Sequence, residues 1–176
     1  ISGSMPKGSP EDTYYVWTKA CREKGAKVIL DADGALFATG VKASPYLVKP
    51  NNHELSRFAG RKLETVEELE AEAKKLMQDY GIKKVVVSMG GDGALYVIEE
   101  KTIYAEGLKV PVGSTVGAGD SVVAALAFAE ENGSSLEDTV RLSTATGGAN
   151  VMCSGTQAAE YEVIESLMPK VVFRTL

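Results

Sequence analysis

The chain has 176 residues, of which 44% are hydrophobic and 24% are charged, and its formal net charge is −5. This composition is typical of a globular domain with its own core and excludes a disordered chain. The acidic balance argues against nucleic acid or an anionic membrane as the main partner. The longest apolar run, residues 122–129, is far too short to span a bilayer. We therefore expect a globular protein with no nucleic-acid and no membrane partner.

The two cysteines and the first residues of the chain are informative about the cellular compartment of the protein. Cys21 and Cys153 show no partner spacing, which favours free thiols in a reducing compartment. The opening "ISGSMPKG" contains no basic start followed by an apolar segment, so it does not predict a secretory signal peptide. We therefore expect a cytoplasmic protein. Because this opening has no leader and no methionine at position 1, we also expect it to be the middle of a longer protein.

In the first half of the chain, short apolar runs alternate with helical patterns. Ser9 as N-cap and Pro10 at the first helical position predict a helix that ends before Gly25. The apolar run "AKVILD" is typical of a buried parallel strand. A capping box of Thr65 and Glu68 begins another helix. The predicted elements are a helix over 10–24, a strand over 26–31, a helix over 34–42, a strand over 45–50, and helices over 51–60 and 65–80.

The second half begins with a third buried strand and ends in helices. The sequence "GGDG" predicts a turn, and the alternating pattern after it predicts a β-hairpin. Ser134 and Glu137 have capping-box spacing and predict a helix start. The predicted elements are a strand over 83–90, a hairpin over 94–106, a loop over 107–116, and helices over 117–131, 134–151 and 161–168.

These elements predict an α/β fold, an open and mostly parallel sheet with helices on both faces. In such sheets, ligands bind beyond the carboxyl ends of the strands. The carboxyl ends of three predicted strands contain polar residues, in Asp31, in Lys49-Pro50-Asn51 and in Ser88-Met89-Gly90. The sequence therefore predicts a binding site along one edge of the sheet.

The segment "STVGAGDSVVAALAFA" places glycines and one carboxylate at the start of an apolar helix. Gly117 and Gly119 let a ligand approach the backbone, and a helix N-terminus favours anions. Asp120 in the first turn is compatible with two roles, a helix-stabilising acid or a catalytic base beside an anion site. The segment is neither a Walker A loop, since no Gly-Lys-Ser/Thr follows, nor a dinucleotide fingerprint after the first strand.

Five motifs in order resemble those of the ribokinase-like (PfkB) family of sugar kinases. They are "GSMPKG", "LDADG", "KPNNHE", "SMGGDGAL" and "STVGAGDS", and they cover most of the chain. The first and third are most similar to the branch that contains 1-phosphofructokinases and tagatose-6-phosphate kinases. The resemblance implies a ribokinase-like three-layer α/β/α fold with a mostly parallel sheet and a β-hairpin. Because family members are nearly twice as long, it also implies that residues 1–176 are the C-terminal portion of one kinase domain, without its lid and first strands.

The resemblance also implies roles for individual residues, with ATP and Mg²⁺ as cofactors. Asp120 would be the general base, and Gly117, Ala118 and Gly119 would form the anion hole. Asn51 and Glu54 would hold the metal. The nucleotide would be bound by Lys49, Ser88, Gly90, Gly93 and Asn150.

The residues themselves leave simpler alternatives open at several of these positions. Asn51 also suits a helix cap, and Glu54 suits a first-turn acid. Lys49 is also compatible with a strand-end lysine that reaches solvent. Gly90 and Gly93 belong to a turn in either case. Asp31 is equally compatible with a place near the site and with a cap of the next turn.

The resemblance implies phosphoryl transfer from ATP to a sugar phosphate, with fructose 1-phosphate as first candidate and fructose 1,6-bisphosphate as product. A tagatose-6-phosphate kinase is one alternative. A non-catalytic nucleotide-binding fragment of such a kinase is another, because most residues that hold the sugar in the family lie outside this segment. An oxidoreductase with a dinucleotide is disfavoured by the missing glycine fingerprint. The family often forms dimers, so the resemblance also implies a homodimer.

Overall fold

The computed structural model describes all 176 residues and contains six strands and seven α-helices. The strands form one sheet, in which they lie side by side in the order of the chain, from β1 to β6. Parallel and antiparallel pairings both occur, so the sheet is mixed. The predicted α/β class is thereby confirmed. The chain divides into two compact units, residues 1–89 with 95–102, and residues 90–94 with 103–176.

The first unit contains the parallel part of the sheet. Ile29 pairs with Leu47 and Leu30 with Val48, while Leu47 and Val48 pair with Lys84 and Val85. The elements are α1 Thr13–Glu23, β1 Ile29–Leu30, α2 Gly34–Gly40, β2 Leu47–Val48, α3 Asn52–Ala59, α4 Val66–Tyr80, β3 Lys84–Ser88 and most of β4 Ala94–Ile98.

The core of this unit follows from the periodicities of its elements. In α4, the apolar side chains three and four residues apart are buried, at Leu69, Ala73 and Leu76. All three central residues of β3 are buried, as expected for a parallel strand covered on both faces. The burial of these apolar side chains stabilises the unit by about 1.5–3 kcal/mol per large side chain.

Two predictions in this unit needed correction at the element ends. Helix α1 begins at Thr13 with Asp12 as its N-cap, so Ser9 and Pro10 do not begin it. These residues belong to turns instead. The Ser9 N–H donates to the Pro6 carbonyl, and the Thr13 N–H and hydroxyl both donate to the Pro10 carbonyl. The strands β1 and β2 are also shorter than predicted, with two paired residues each.

The second unit packs two long helices beside an antiparallel strand pair. Strands β5 and β6 pair with Ile103 opposite Thr175 and Ala105 opposite Phe173. Helices α5 and α6 pack against each other, and α6 packs against α7. The elements are β5 Thr102–Ala105, α5 Ala118–Glu131, α6 Leu136–Met152, α7 Tyr161–Leu167 and β6 Phe173–Thr175.

The second unit also differs from the prediction at two points. Helix α6 is capped by Ser135, whose Oγ accepts the Asp138 N–H at 3.1 Å, and not by Ser134. Strand β6 was not predicted, because its three residues are too few to show an alternating pattern. Strands β4 and β5 are neighbours in the sheet joined by three residues, as the predicted hairpin requires.

Both cysteines are free thiols in the structure. None of the helices combines the length and the apolar character needed to cross a bilayer.

Candidate functional site

The first unit brings the predicted polar residues of three strands to one edge of the sheet. Lys49 directly follows β2, and its N–H donates to the Leu30 carbonyl at 3.1 Å. Ser88 ends β3, and its N–H donates to the Pro50 carbonyl at 3.0 Å. Ser88 also forms a parallel bridge with Asn51. Because the strands are parallel, their carboxyl ends meet here, as the sequence predicted.

Asn51 and Glu54 form a reciprocal capping box at the start of α3. Asn51 Oδ1 accepts the Glu54 N–H at 2.8 Å, and Glu54 Oε2 accepts the Asn51 N–H at 2.8 Å. The box satisfies two backbone donors that the helix itself cannot satisfy. The helix-cap alternative is therefore observed at both residues, and the metal-binding role stays a prediction. Glu54 Oε1 is not part of the box and is the oxygen left for a ligand.

The carboxyl of Glu54 has unusual electrostatics for a residue in a first helical turn. Burial raises its pKa above the ordinary value, and the negative charges of Asp31 and Asp33 act in the same direction. The hydrogen bond from the Asn51 N–H and the positive charge of Lys49 oppose this rise. A cation near Glu54 would favour the ionised form, because it offsets the loss of hydration.

Lys49 is buried rather than extended into solvent. It is 5% exposed, and its Nζ lies 3.1 Å from Asp31 Oδ1. The second acid of this edge, Asp33, caps α2 through the Gly34 N–H and pairs with the exposed Arg57. Of the two alternatives for Asp31, the structure thus supports the place near the site, since Asp33 is the cap.

In the second unit, the predicted anion hole lies at the first turn of α5. Gly117 is the N-cap in the left-handed conformation, with φ of 83°, and no side chain caps this helix. Helices α2, α3, α4 and α6 each have a side-chain cap, whereas α1 and α7, like α5, have none. Asp120 lies in the first turn and is exposed. The N-terminus of α5 therefore combines a positive dipole end with a carboxylate.

Asn150 lies beside Gly117 and is only 4% exposed. Its Nδ2 donates to the Gln157 carbonyl at 3.1 Å. Its Oδ1 has no hydrogen-bond partner and would lie 3.8 Å from a Cβ atom placed on Gly117. The structure therefore places Asn150, which is predicted to bind the nucleotide, next to Gly117 of the predicted anion hole.

The loop before α5 is attached to the end of α6, which the sequence did not predict. The N–H groups of Gly113 and Ser114 both donate to the Val151 carbonyl, at 2.7 and 3.2 Å. A Cβ atom on Gly113 would lie 2.6 Å from the Cys153 carbonyl oxygen, so only glycine permits this approach. The only signal in the sequence was the glycine itself.

Gly90 and Gly93 define a tight turn before β4. The Gly93 N–H donates to the Gly90 carbonyl at 3.1 Å, and both glycines have positive φ, 58° and 105°. A Cβ atom on Gly93 would lie 2.0 Å from the Ala105 carbonyl oxygen. Glycine is thus a requirement of the turn, and its role toward a nucleotide stays a prediction.

The structure contains no group of three or more His, Cys, Asp or Glu side chains arranged to hold a metal ion. Magnesium is commonly held by one or two carboxylates, several waters and substrate phosphates. The half-buried Glu54 carboxylate, with one oxygen outside the capping box, fits that kind of site.

Comparison with known sequences identifies a family. Residues 1–162 match the family described as pfkB family carbohydrate kinase. The 1-phosphofructokinase of Haemophilus influenzae is 36% identical over 172 residues, which are 97% of this chain and 55% of that protein. The D-tagatose-1-phosphate kinase of Bacillus licheniformis is 35% identical over 155 residues, 88% of this chain and 51% of that protein. The chain therefore spans about half the length of the curated relatives it matches.

Solved structures of kinases also match this chain over about half of their own length. Phosphofructokinase-2 from Escherichia coli in complex with potassium matches with a TM-score of 0.90 and 32% identity, covering 97% of this chain and 55% of that one. Arabidopsis thaliana ribokinase complexed with ribose and ATP matches with a TM-score of 0.80 and 29% identity, covering 90% and 53%. These likenesses confirm the ribokinase-like fold.

Proposed function

Because the chain belongs to the pfkB family of carbohydrate kinases, we propose that it carries the nucleotide-binding and phosphoryl-transfer part of a sugar-phosphate kinase. The observation that carries this proposal is the first turn of α5, where Gly117 replaces a side-chain cap and Asp120 adds a carboxylate. A helix start without a side-chain cap offers its N–H groups to an anion. ATP as the donor is supported by the ribokinase relative that was solved with ribose and ATP.

In the proposed reaction, a sugar hydroxyl attacks the γ-phosphorus of ATP, and the bond to the bridging oxygen of ADP breaks. Asp120 accepts the hydroxyl proton. The amides of Gly117, Ala118 and Gly119 stabilise the charge on the transferred phosphoryl oxygens. Phosphoryl transfer depends mainly on positioning and charge stabilisation, so a fixed loop and one base suit it.

Glu54, with Asn51 beside it, would hold Mg²⁺ at the edge of the sheet. When bound, Mg²⁺ neutralises charge on the phosphates of the nucleotide. Lys49 would bind a phosphate oxygen through its ammonium group. Ser88, Gly90, Gly93 and Asn150 would bind the rest of the nucleotide, as the resemblance implies.

We propose fructose 1-phosphate as the acceptor, with fructose 1,6-bisphosphate as product, because the Haemophilus influenzae relative is a 1-phosphofructokinase. The tagatose-phosphate alternative is supported by the D-tagatose-1-phosphate kinase relative, whose name places the phosphate at position 1 rather than 6. The alternative of a non-catalytic nucleotide-binding fragment rests on the share of the relatives that the chain spans, 55% of the first. The homodimer and the cytoplasmic location stay predictions.

A calorimetric titration of the 176-residue chain with ATP in the presence of Mg²⁺ tests the proposal. We expect saturable binding that weakens when Mg²⁺ is removed, because the metal neutralises repulsion between phosphates and carboxylates. Absence of binding by a chain that melts cooperatively would contradict the proposal. An assay of ADP release with fructose 1-phosphate and with tagatose 6-phosphate then separates a kinase from a non-catalytic fragment.

The substitution Asn51→Ala separates the cap from the metal-binding role. Loss of the cap should lower the free energy of unfolding by about 1 kcal/mol. Thr65→Ala removes the cap of the second capping box, at the start of α4, and serves as the matched control. We expect similar losses of stability in both variants, measured by urea denaturation, and weaker Mg²⁺-dependent ATP binding only in Asn51→Ala. Equal ATP binding in both variants would show that Asn51 is only a cap.

A further inference from the structure

Asp31 and Lys49 face each other because of the strand register. Ile29 pairs with Leu47 and Leu30 with Val48, so the next residues along β1 and β2 are Asp31 and Lys49. Their side chains meet in an ion pair of 3.1 Å between Nζ and Oδ1. Both are largely buried, with side-chain exposures of 6% for Lys49 and 16% for Asp31.

The backbone of Asp31 is fixed from the side opposite β2. Its N–H donates to the Ile1 carbonyl at 2.9 Å, and its carbonyl accepts the Gly3 N–H at 3.2 Å. The carboxylate of Asp31 therefore projects from a main chain that is held on both sides. A buried ion pair contributes little to stability relative to a well-packed apolar pair, because both charges lose their hydration. A contribution to the free energy of folding is thus a weak explanation for a lysine at position 49.

The ion pair with Asp31 determines the direction of the Lys49 ammonium. An ammonium has three N–H donors, and one Asp31 oxygen engages one of them. Glu54 is a second carboxylate close enough to interact with Lys49. Without Asp31, the flexible lysine chain would be free to turn toward Glu54. With Asp31, the ammonium is held beside the carboxyl end of β1.

We propose that Asp31 is a positioning residue, which holds the Lys49 ammonium in place for a phosphate oxygen of the nucleotide. This inference rests on the proposed function, because it assumes that a nucleotide binds at this edge. Asp31 itself touches no substrate, and it acts only through Lys49.

Asp31→Asn tests the inference by calorimetry on the 176-residue chain, with ATP and Mg²⁺ and with adenosine as separate ligands. We expect the affinity for ATP to fall about 10- to 100-fold, the usual effect of a charge-assisted hydrogen bond. The affinity for adenosine should not change, because adenosine has no phosphate. Asp31→Glu should restore most of the ATP affinity, since it keeps the carboxylate. Asp33→Asn is the matched control, because Asp33 pairs with the exposed Arg57 and not with Lys49.

If Asp31→Asn alone unfolds the chain, Lys49→Met is compared with the double variant that carries both Asp31→Asn and Lys49→Met. The double variant has no unpaired buried charge. If Asp31 acts through Lys49, replacing Asp31 in the Lys49→Met background does not lower the affinity for ATP any further. An Asp31→Asn chain that binds ATP as tightly as the wild type would overturn the inference and leave the proposed function intact. A folded wild-type chain that does not bind ATP would overturn both.

Discussion

Asp120→Asn is expected to lower kcat for phosphoryl transfer to the sugar phosphate by about 10²- to 10⁴-fold, the usual contribution of a general base. Asparagine has nearly the same shape, but it cannot accept the hydroxyl proton. Asp120 is exposed and lies in the first turn of α5, so its replacement should change the free energy of unfolding by no more than about 1 kcal/mol. The affinity for ATP, measured by calorimetry, should stay within a few-fold of the wild type.

Asp79→Asn is the matched control, because Asp79 is also an exposed helical aspartate, near the end of α4. We expect it to leave kcat unchanged. A wild-type kcat in Asp120→Asn would remove Asp120 from the role of base and leave it as a first-turn acid. If the 176-residue chain shows no turnover, the same pair of variants is compared in a chain extended to the length of the relatives.

Gly93→Ala is expected to lower the free energy of unfolding by about 3 kcal/mol or more, from backbone strain and steric overlap together. The φ of 105° at Gly93 is one that residues with a Cβ rarely adopt. The added Cβ would also meet backbone, 2.0 Å from the Ala105 oxygen and 2.7 Å from the Gly107 nitrogen. The turn cannot easily move away, because Tyr104 Oη donates to the Asp92 carbonyl at 2.8 Å.

Gly91→Ala, two residues earlier in the same turn, is the control for this prediction. A Cβ on Gly91 meets nothing within 4 Å, and its φ is not positive. We expect its free energy of unfolding, from urea denaturation, to stay within about 0.5 kcal/mol of the wild type. Equal stability of the two alanine variants would show that this turn tolerates side chains, which would contradict the packing described above.

Local sequence signals predicted most helices correctly, because caps and glycines act over a few residues. Thr65 and Glu68 at the start of α4 and Gly60 at the end of α3 are examples. Ser9 and Pro10 misled the prediction of α1, since a Pro-containing turn and a helix start use the same residue types. Strand β6 was missed because its three residues are too few to show an alternating pattern.

For the site, the sequence predicted which residues lie at the edge of the sheet but not their partners. The ends of β1 and β2 were recognisable, yet the Asp31–Lys49 pair follows from a register that only the folded sheet defines. The Asn150 side chain beside Gly117 likewise depends on how α6 packs near the start of α5. Such contacts join residues distant in sequence, and no local pattern encodes them.

The hydrogen bonds that attach Gly113 and Ser114 to the end of α6 affect the entropic cost of binding a ligand. These two hydrogen bonds are made within the protein itself, so the loop before α5 loses its conformational entropy when the chain folds and not when a phosphate arrives. A preorganised loop adds little reorganisation cost to the approach to the transition state. The second unit thus supplies from its own backbone the contacts that hold Gly113 and Ser114 in place.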